Sequence, residues 1–243
     1  INFRNAKHLL INEPKGRLFE EMLKILLSGN ALNVVRELGE LNLPRRVFPL
    51  FDRLFFHKSH DDFAYKVLEK TDLRIASGED VSLVFILAGL IWSAIYQSWQ
   101  QELKQGVHAK QALMDAIARN KTVIFNSGVT RNLYTAMRDM WMLQVEFDAP
   151  SVAKLDHLLN HNRFRQAWHL FTMRNDFLQV DPQIFAWWDN FMASADDDKT
   201  DLMIELVDLA PAEPKKKSKR RKSKRKRNVK KMPQVGENLE FDF

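Results

Sequence analysis

Between Val81 and Tyr96 the chain reads VSLVFILAGLIWSAIY, the run that most restricts how it can fold. It is shorter than the roughly 18 to 20 apolar residues that a bilayer crossing needs, and polar residues flank it on both sides. A buried core helix is expected. The segments around it repeat their apolar residues at helical spacing. Leu18, Met22, Ile25 and Leu26 make one stripe, with Asn12 and Pro14 as start signals and Gly29 as the stop. A second helix is expected from about Ala31 to Leu41. Pro44 then opens a third, PRRVFPLFDRLFF, which Pro49 should kink or divide.

Further helical patterns cover Asp62 to Ile75, Val81 to Lys104, His108 to Ile117 and Arg131 to Phe147, where Pro150 interrupts. Three short helices follow in SVAKLDHLLNH, RFRQAWHLFTMRNDF and DPQIFAWWDNFM, and a last one covers about Lys199 to Leu209. No alternating pattern bounded by hairpin turns is present. The expectation is an all-α fold, a helical bundle or array of about ten helices with short connections. With 45% apolar residues in 243, the chain can bury a core of one large domain or two smaller ones.

Charge divides the chain sharply. Residues 215 to 231, KKKSKRRKSKRKRNVKK, hold 13 of the 37 Lys and Arg, while residues 232 to 243 hold three acids and no base. The remaining 214 residues carry 24 bases against 28 acids, so a mildly acidic globule bears a strongly cationic arm with an acidic tip. After Ala210 there is too little apolar side chain to offset the entropy of ordering, and disorder is expected there. An arm of this kind binds polyanions. The absence of cysteine excludes disulfides and thiolate metal sites and fits a reducing compartment. No cationic, apolar leader is evident at the start of the sequence.

Candidate chemistry in the body is weak. His157 and His161 have the spacing of a helical zinc pair, but Leu158 stands where a metalloprotease needs Glu and no third ligand is apparent. His57, His60 and Asp61 suggest a metal phosphohydrolase, without the distant His and Asp such a site requires; Asp61 or Asp62 reads as a helix cap. Asp196 and Asp198 have the spacing of a two-metal site but lie in a polar break between helices, with no glycine-rich phosphate loop in the chain. No catalytic residue and no metal ligand is assigned. Arginines alternate with aromatics in NRFRQAWHLFTMRNDF, as in sites that stack single-stranded RNA. Phe164, Trp168 and Phe171 nonetheless fall on one helical stripe and read as core, which leaves Arg163, Arg165 and Arg174 for an outer face.

Several of these segments together resemble the bacterial poly(A) polymerases, which group with the tRNA CCA-adding enzymes among nucleotidyltransferases. RLFEEMLKILLSGNAL resembles the helix that follows an Ile-Pro-Pro-Ala in that family, a lead-in replaced here by Asn12, Glu13, Pro14 and Lys15. LVFILAGLIW, MRDMWMLQ, RFRQAWHLFTMR and the pair Trp187 and Trp188 resemble its later helices in order, and the basic tail has its counterpart. The likeness covers roughly residues 9 to 230. It implies an assignment of 1–60 to the end of the RNA-binding neck and body region, 61–210 to the C-terminal helical body and 211–243 to a disordered basic tail with an acidic tip.

The family's Mg²⁺ and ATP are held by an N-terminal head with a glycine-serine loop and paired aspartates. None of those motifs is in this sequence, which opens on Ile1, so the resemblance implies a rear portion that is inactive alone and needs no cofactor itself. Its implied work is to hold RNA 3′ ends for AMP addition from ATP in a bacterial cytoplasm, away from any membrane, with RNA-decay proteins as further partners. RNA contacts are assigned to Lys215, Lys216, Lys217, Lys219, Arg220, Arg221, Lys222, Lys224, Arg225, Lys226, Arg227, Lys230 and Lys231, with Arg163, Arg165 and Arg174 on the body. Alternatives are a CCA-adding fragment, a non-enzymatic RNA- or ribosome-associated helical module, and a nuclear protein whose basic run is an import signal.

Overall fold

The computed structural model describes residues 7–41, 43, 45–56, 62–195 and 199–209, all of them helix, turn or loop with no strand. After a 3₁₀ turn at Lys7–Asn12 come α1 (Lys15–Leu26), α2 (Ala31–Glu40), α3 (Asp52–Phe56), α4 (Asp62–Ala76), α5 (Leu83–Lys104) and α6 (Ala109–Asn126). They are followed by α7 (Arg131–Asp148), α8 (Val152–Leu159), α9 (Phe164–Asp176), α10 (Pro182–Ala193) and α11 (Lys199–Leu209). These helices belong to one compact unit. The thirteen tail cations, His57, His60, Asp61, Asp196 and Asp198 lie outside the described residues.

The centre is α5, which packs on α4, α6, α7 and α9. Ile86, Leu87, Ala88, Leu90, Ile91, Trp92 and Ile95 are all buried, around the full circumference of the helix. A helix that is apolar on every side has no solvent face to offer and becomes the core. Among the described residues it is the one helix long and apolar enough to cross a membrane, and most of it is enclosed by the body. Its start is fixed by the Ser82 hydroxyl, which accepts from the Phe85 N–H. Close approach to α4 depends on Gly89, where a Cβ would come within 2.6 Å of Val67 Cγ2. Any larger residue would force the two helices apart.

Tryptophans bolt the helices together, because a buried indole needs a partner for its N–H. Trp141 donates to the Ala88 carbonyl at 3.3 Å, tying α7 to α5, and Trp188 donates to the Phe147 carbonyl at 2.9 Å, tying α10 to α7. Trp99 reaches the Ala109 carbonyl and Trp187 the Leu202 carbonyl. At the other end of the body the carboxylate of Asp72, on α4, accepts from the N–H groups of Ala31 and Leu32 at 2.8 and 2.9 Å. It caps α2 from a distance and binds the N-terminal helices to the rest.

Three sequence expectations are corrected. The segment from 45 to 51 is a series of turns rather than a kinked helix, and only Asp52–Phe56 is helical. Pro49 lacks the N–H that a helix interior requires. The chain instead turns through Arg46, at φ 76°, whose N–H donates to the Asp52 carboxylate at 3.0 Å, so that Val47, Phe48, Leu50 and Phe51 can all point inward. Helix α6 runs on from Ile117 to Asn126 through the polar ARNKT, because Ile124 is buried beyond it. Pro14, with no side-chain cap, precedes α1, and Asn12 closes the 3₁₀ turn instead of capping it.

Candidate nucleic-acid interface

Helix α9 carries the body arginines and shows why two of them differ from the third. Arg163 stands at its start, half-buried; Arg165, the second residue of the helix, is exposed. Arg174 is 0% exposed. Nine residues separate Arg165 from Arg174, two and a half turns at 3.6 residues each, so the two side chains leave opposite faces of the helix. Arg174 therefore shares the inner face with Phe171 and is removed from the outer face expected for it from sequence.

There both of its terminal nitrogens have hydrogen-bond partners, while its Nε has none among the described residues. Its guanidinium donates to Asp148 Oδ2 at 2.8 Å, Gln144 Oε1 at 3.1 Å and the Gln179 carbonyl at 3.1 Å. It also lies over the rings of Trp92 and Trp99, at 5.2 and 5.5 Å from their centroids. Gln179 in turn accepts from the Trp92 indole at 2.8 Å. Burial pushes the Asp148 carboxyl above its usual range, against the pull of the Arg174 charge and hydrogen bond. This cluster joins α5, α7, α9 and the 177–181 loop, and the Arg174 guanidinium has no surface from which to meet a ligand.

The expected aromatic stripe is core. Phe171 is buried and stacks on Phe147 with centroids 5.0 Å apart, and Phe164 and Trp168 pack on the same ring from the half-buried edge. His157 and His161 sit 6.2 Å apart, ring to ring, and His161 Nδ1 accepts from the Arg163 N–H. Among the described residues no group of three His, Cys, Asp or Glu side chains could hold a metal.

Arg165 opens instead onto a cleft of about 620 Å³ between α4, the 78–82 loop, the start of α5 and α9. Lys70 and Arg74, one turn apart on α4, line one wall; Arg165 and His169, one turn apart on α9, line the other. Phe85 and Ile86 contribute apolar surface, and the Gln166 side chain reaches Ser82 Oγ at 3.5 Å. Lys70 is paired with Asp176 at 3.2 Å and Arg74 with Glu79 at 2.9 Å, both on the partly exposed rim. Desolvation first, then the positive charges of Arg74, Arg165 and Lys70, hold the His169 imidazole below its usual range. Three cations thus gather around His169, with the carboxylates of Glu79 and Asp80 on the adjoining loop. Sequence reasoning found Arg165 and missed Lys70, Arg74 and His169. Their i, i+4 spacing was visible, but nothing local tells that two helices more than ninety residues apart share a cleft.

Two other clefts differ in character. One of about 800 Å³ between α1, the 45–52 turns and α6 contains Lys15, Arg45 and Arg46 beside Glu13 and Asp52, with Lys15 donating to Asn126 Oδ1 at 2.8 Å. The other, of about 830 Å³ between α2 and α4, gathers Glu37, Glu40, Asp62 and Glu69 around Arg36 and Lys66. It repels anions.

Residues 105–227 match the family described as "Polymerase A arginine-rich C-terminus", and residues 2–55 match the family described as "Probable RNA and SrmB-binding site of polymerase A". Among curated proteins, the chain is 29% identical over 232 residues to the poly(A) polymerase I of Salmonella typhi, covering 90% of this chain and 48% of that protein. It is 29% identical over 210 residues to that of Escherichia coli O157:H7, with coverage of 82% and 44%. It is 27% identical over 223 residues to that of Haemophilus influenzae, with coverage of 88% and 48%. The chain spans about half the length of the curated relatives it matches.

Proposed function

Because the chain belongs to the family of arginine-rich C-termini of polymerase A, we propose that it is the RNA-holding portion of a bacterial poly(A) polymerase. The observation that carries this reading is the pair of family matches, which fall in order on the N-terminal helices and on the body with the basic run. AMP transfer from ATP to RNA 3′ ends, with the Mg²⁺ it uses, then belongs to a catalytic head of the family's kind. Among the described residues no group of three or more His, Cys, Asp or Glu side chains is placed to hold a divalent cation. The role of this chain is to raise the residence of single-stranded 3′ ends beside that head. Its setting is the bacterial cytoplasm, and proteins of RNA decay are its natural associates, since a held 3′ end is also their substrate.

The thirteen tail cations from Lys215 to Lys231 supply the part of the affinity that ignores sequence, because each phosphate they neutralise releases condensed counterions. With about half of them engaged at roughly 0.7 ion per phosphate, the slope of log K against log salt for an unstructured RNA is expected near −4 to −5. Scrambling residues 215 to 231 should change affinity little, whereas replacing every second base with Gln should weaken all RNAs and flatten the slope. A chain that fails to bind single-stranded RNA at low salt, or binds it with no salt dependence, overturns the reading. So does template-independent AMP addition by the purified chain alone.

A further inference from the structure

We propose that the cleft between α4 and α9 is a phosphate-backbone subsite for single-stranded RNA, with Lys70 and Arg74 flanking the strand on one side and Arg165 and His169 on the other. The inference rests on the RNA-holding reading and gives it a place on the body. Each pair is separated by one helical turn, about 6 Å along its helix axis at 1.5 Å per residue. The cleft therefore offers two successive cations on one wall and, on the other, one cation with an imidazole a turn further on, a spacing that suits a backbone with repeating negative charge.

The ion pairs already present do not block such a ligand. Lys70–Asp176 and Arg74–Glu79 lie on the rim with partly exposed side chains, where a pair contributes about 0 to 1 kcal/mol and exchanges readily, and Arg74 stays anchored at the cleft by donating to the Asp80 carbonyl at 3.2 and 3.3 Å. Arg165 has no ion-pair partner among the described residues. The cleft between α2 and α4, with its four carboxylates, has the wrong sign for a polyanion. In the cleft beside α1, the one lysine is engaged by Asn126 and Asp52 faces Arg46.

His169 makes the proposal specific. It faces Lys70 and Arg74 from α4, Arg165 from its own helix, Glu79 and Asp80 from the loop, and the edge of the Phe85 ring from α5, with centroids 6.4 Å apart. Burial first, and then the neighbouring cations, disfavour the charged imidazole; a phosphate entering the cleft offsets the cations, so binding draws a proton onto His169. By linkage, RNA affinity rises as pH falls through the interval between the free and bound values of that imidazole. Base edges are not engaged, and the subsite is indifferent to sequence.

The test uses the whole chain and a short single-stranded oligoadenylate. His169 resonances, assigned by their loss in H169N, are followed by NMR across pH with and without the oligonucleotide. Their midpoint is expected to move upward on binding. In parallel, K70Q/R165Q should flatten the salt slope by about 1.4, two phosphates at roughly 0.7 ion each, while K110Q on the exposed face of α6 leaves it unchanged. The charge-preserving K70R/R165K should restore it. An unmoved His169 midpoint and an unchanged slope in K70Q/R165Q, in a chain that still binds RNA with strong salt dependence, overturn the subsite and leave the RNA-holding reading standing. Loss of all RNA binding by the unmodified chain at low salt overturns both.

Discussion

Arg165 and Arg174 occupy one helix and face opposite worlds. Arg174 is enclosed, hydrogen-bonded to Asp148, Gln144 and the Gln179 carbonyl and covered by two indole rings. Arg165 stands in an open cleft among other cations. A buried guanidinium must be satisfied internally because its hydration has been removed, and once satisfied it is committed to the fold. A cation held in water among like charges is uncommitted, and its free energy falls when an anion arrives. The lesson is that an arginine-rich helix is not by itself a binding face; the phase of each arginine about the helix axis decides its role.

The largest test of this contrast is R174M. It leaves the partly buried Asp148 without its counter-charge and the Gln144 and Gln179 oxygens without their donor, and destabilisation of about 2 to 4 kcal/mol is expected in urea melts. R165Q should stay within about 0.5 kcal/mol of the parent. Equal costs for the two would erase the distinction.

R174K sharpens it at the next level. One ammonium cannot reproduce a planar fork shared among Asp148, Gln144 and the Gln179 carbonyl, so a loss of about 1 to 3 kcal/mol is expected from the groups left unpaired. R165K, by contrast, should bind RNA about as well as the parent, because a phosphate in an open cleft is attracted by charge.

Asp148 tests which force prevails inside the cluster. Burial raises its carboxyl above the usual range despite Arg174. A carboxyl raised in the folded state binds its proton more tightly there than in the unfolded chain. Its stabilising contribution is then full below the ordinary carboxylate range and is lost as pH rises through the folded value. Compared with D148N, which cannot titrate, the parent should gain stability as pH falls from neutral. Thermal melts of both across that interval check the sign; a parent that loses stability relative to D148N in acid would show that the Arg174 pairing outweighs burial.

The smallest expected effect is that of R165Q on RNA binding. With this single cation removed, the salt slope should flatten by about 0.7, with little change in the preference among sequences. Titrations of parent and R165Q on one unstructured RNA check it.

Much of the architecture was legible because the apolar spacing is strong. Leu18, Met22 and Leu26 locate α1, and the run through Trp92 announces the core helix. The turns before α3 were not legible, since Val47, Phe48, Leu50 and Phe51 are apolar enough for a helix; Pro49 and the hydrogen bond from Arg46 to Asp52 decide against it, and a bond across six residues follows no helical spacing. Arg174 could have been found. It stands three residues after Phe171 and seven after Ala167, on the stripe already assigned to the core, and charge alone drew it outward. The cleft around His169 needed α4 beside α9, which no local pattern encodes.

The enclosure of α5 also sets a schedule. Its neighbour α4 is made before it, but α6, α7 and α9 are made after it, and the last of these ends 72 residues beyond Lys104. At about 5 to 20 residues per second, a nascent chain displays a bare apolar rod for roughly 4 to 14 seconds before its wrapping can be completed. During synthesis that rod is the surface most in need of shelter, and a pause between residues 105 and 176 would expose the cell to it longer than any mutation at the surface of the finished protein.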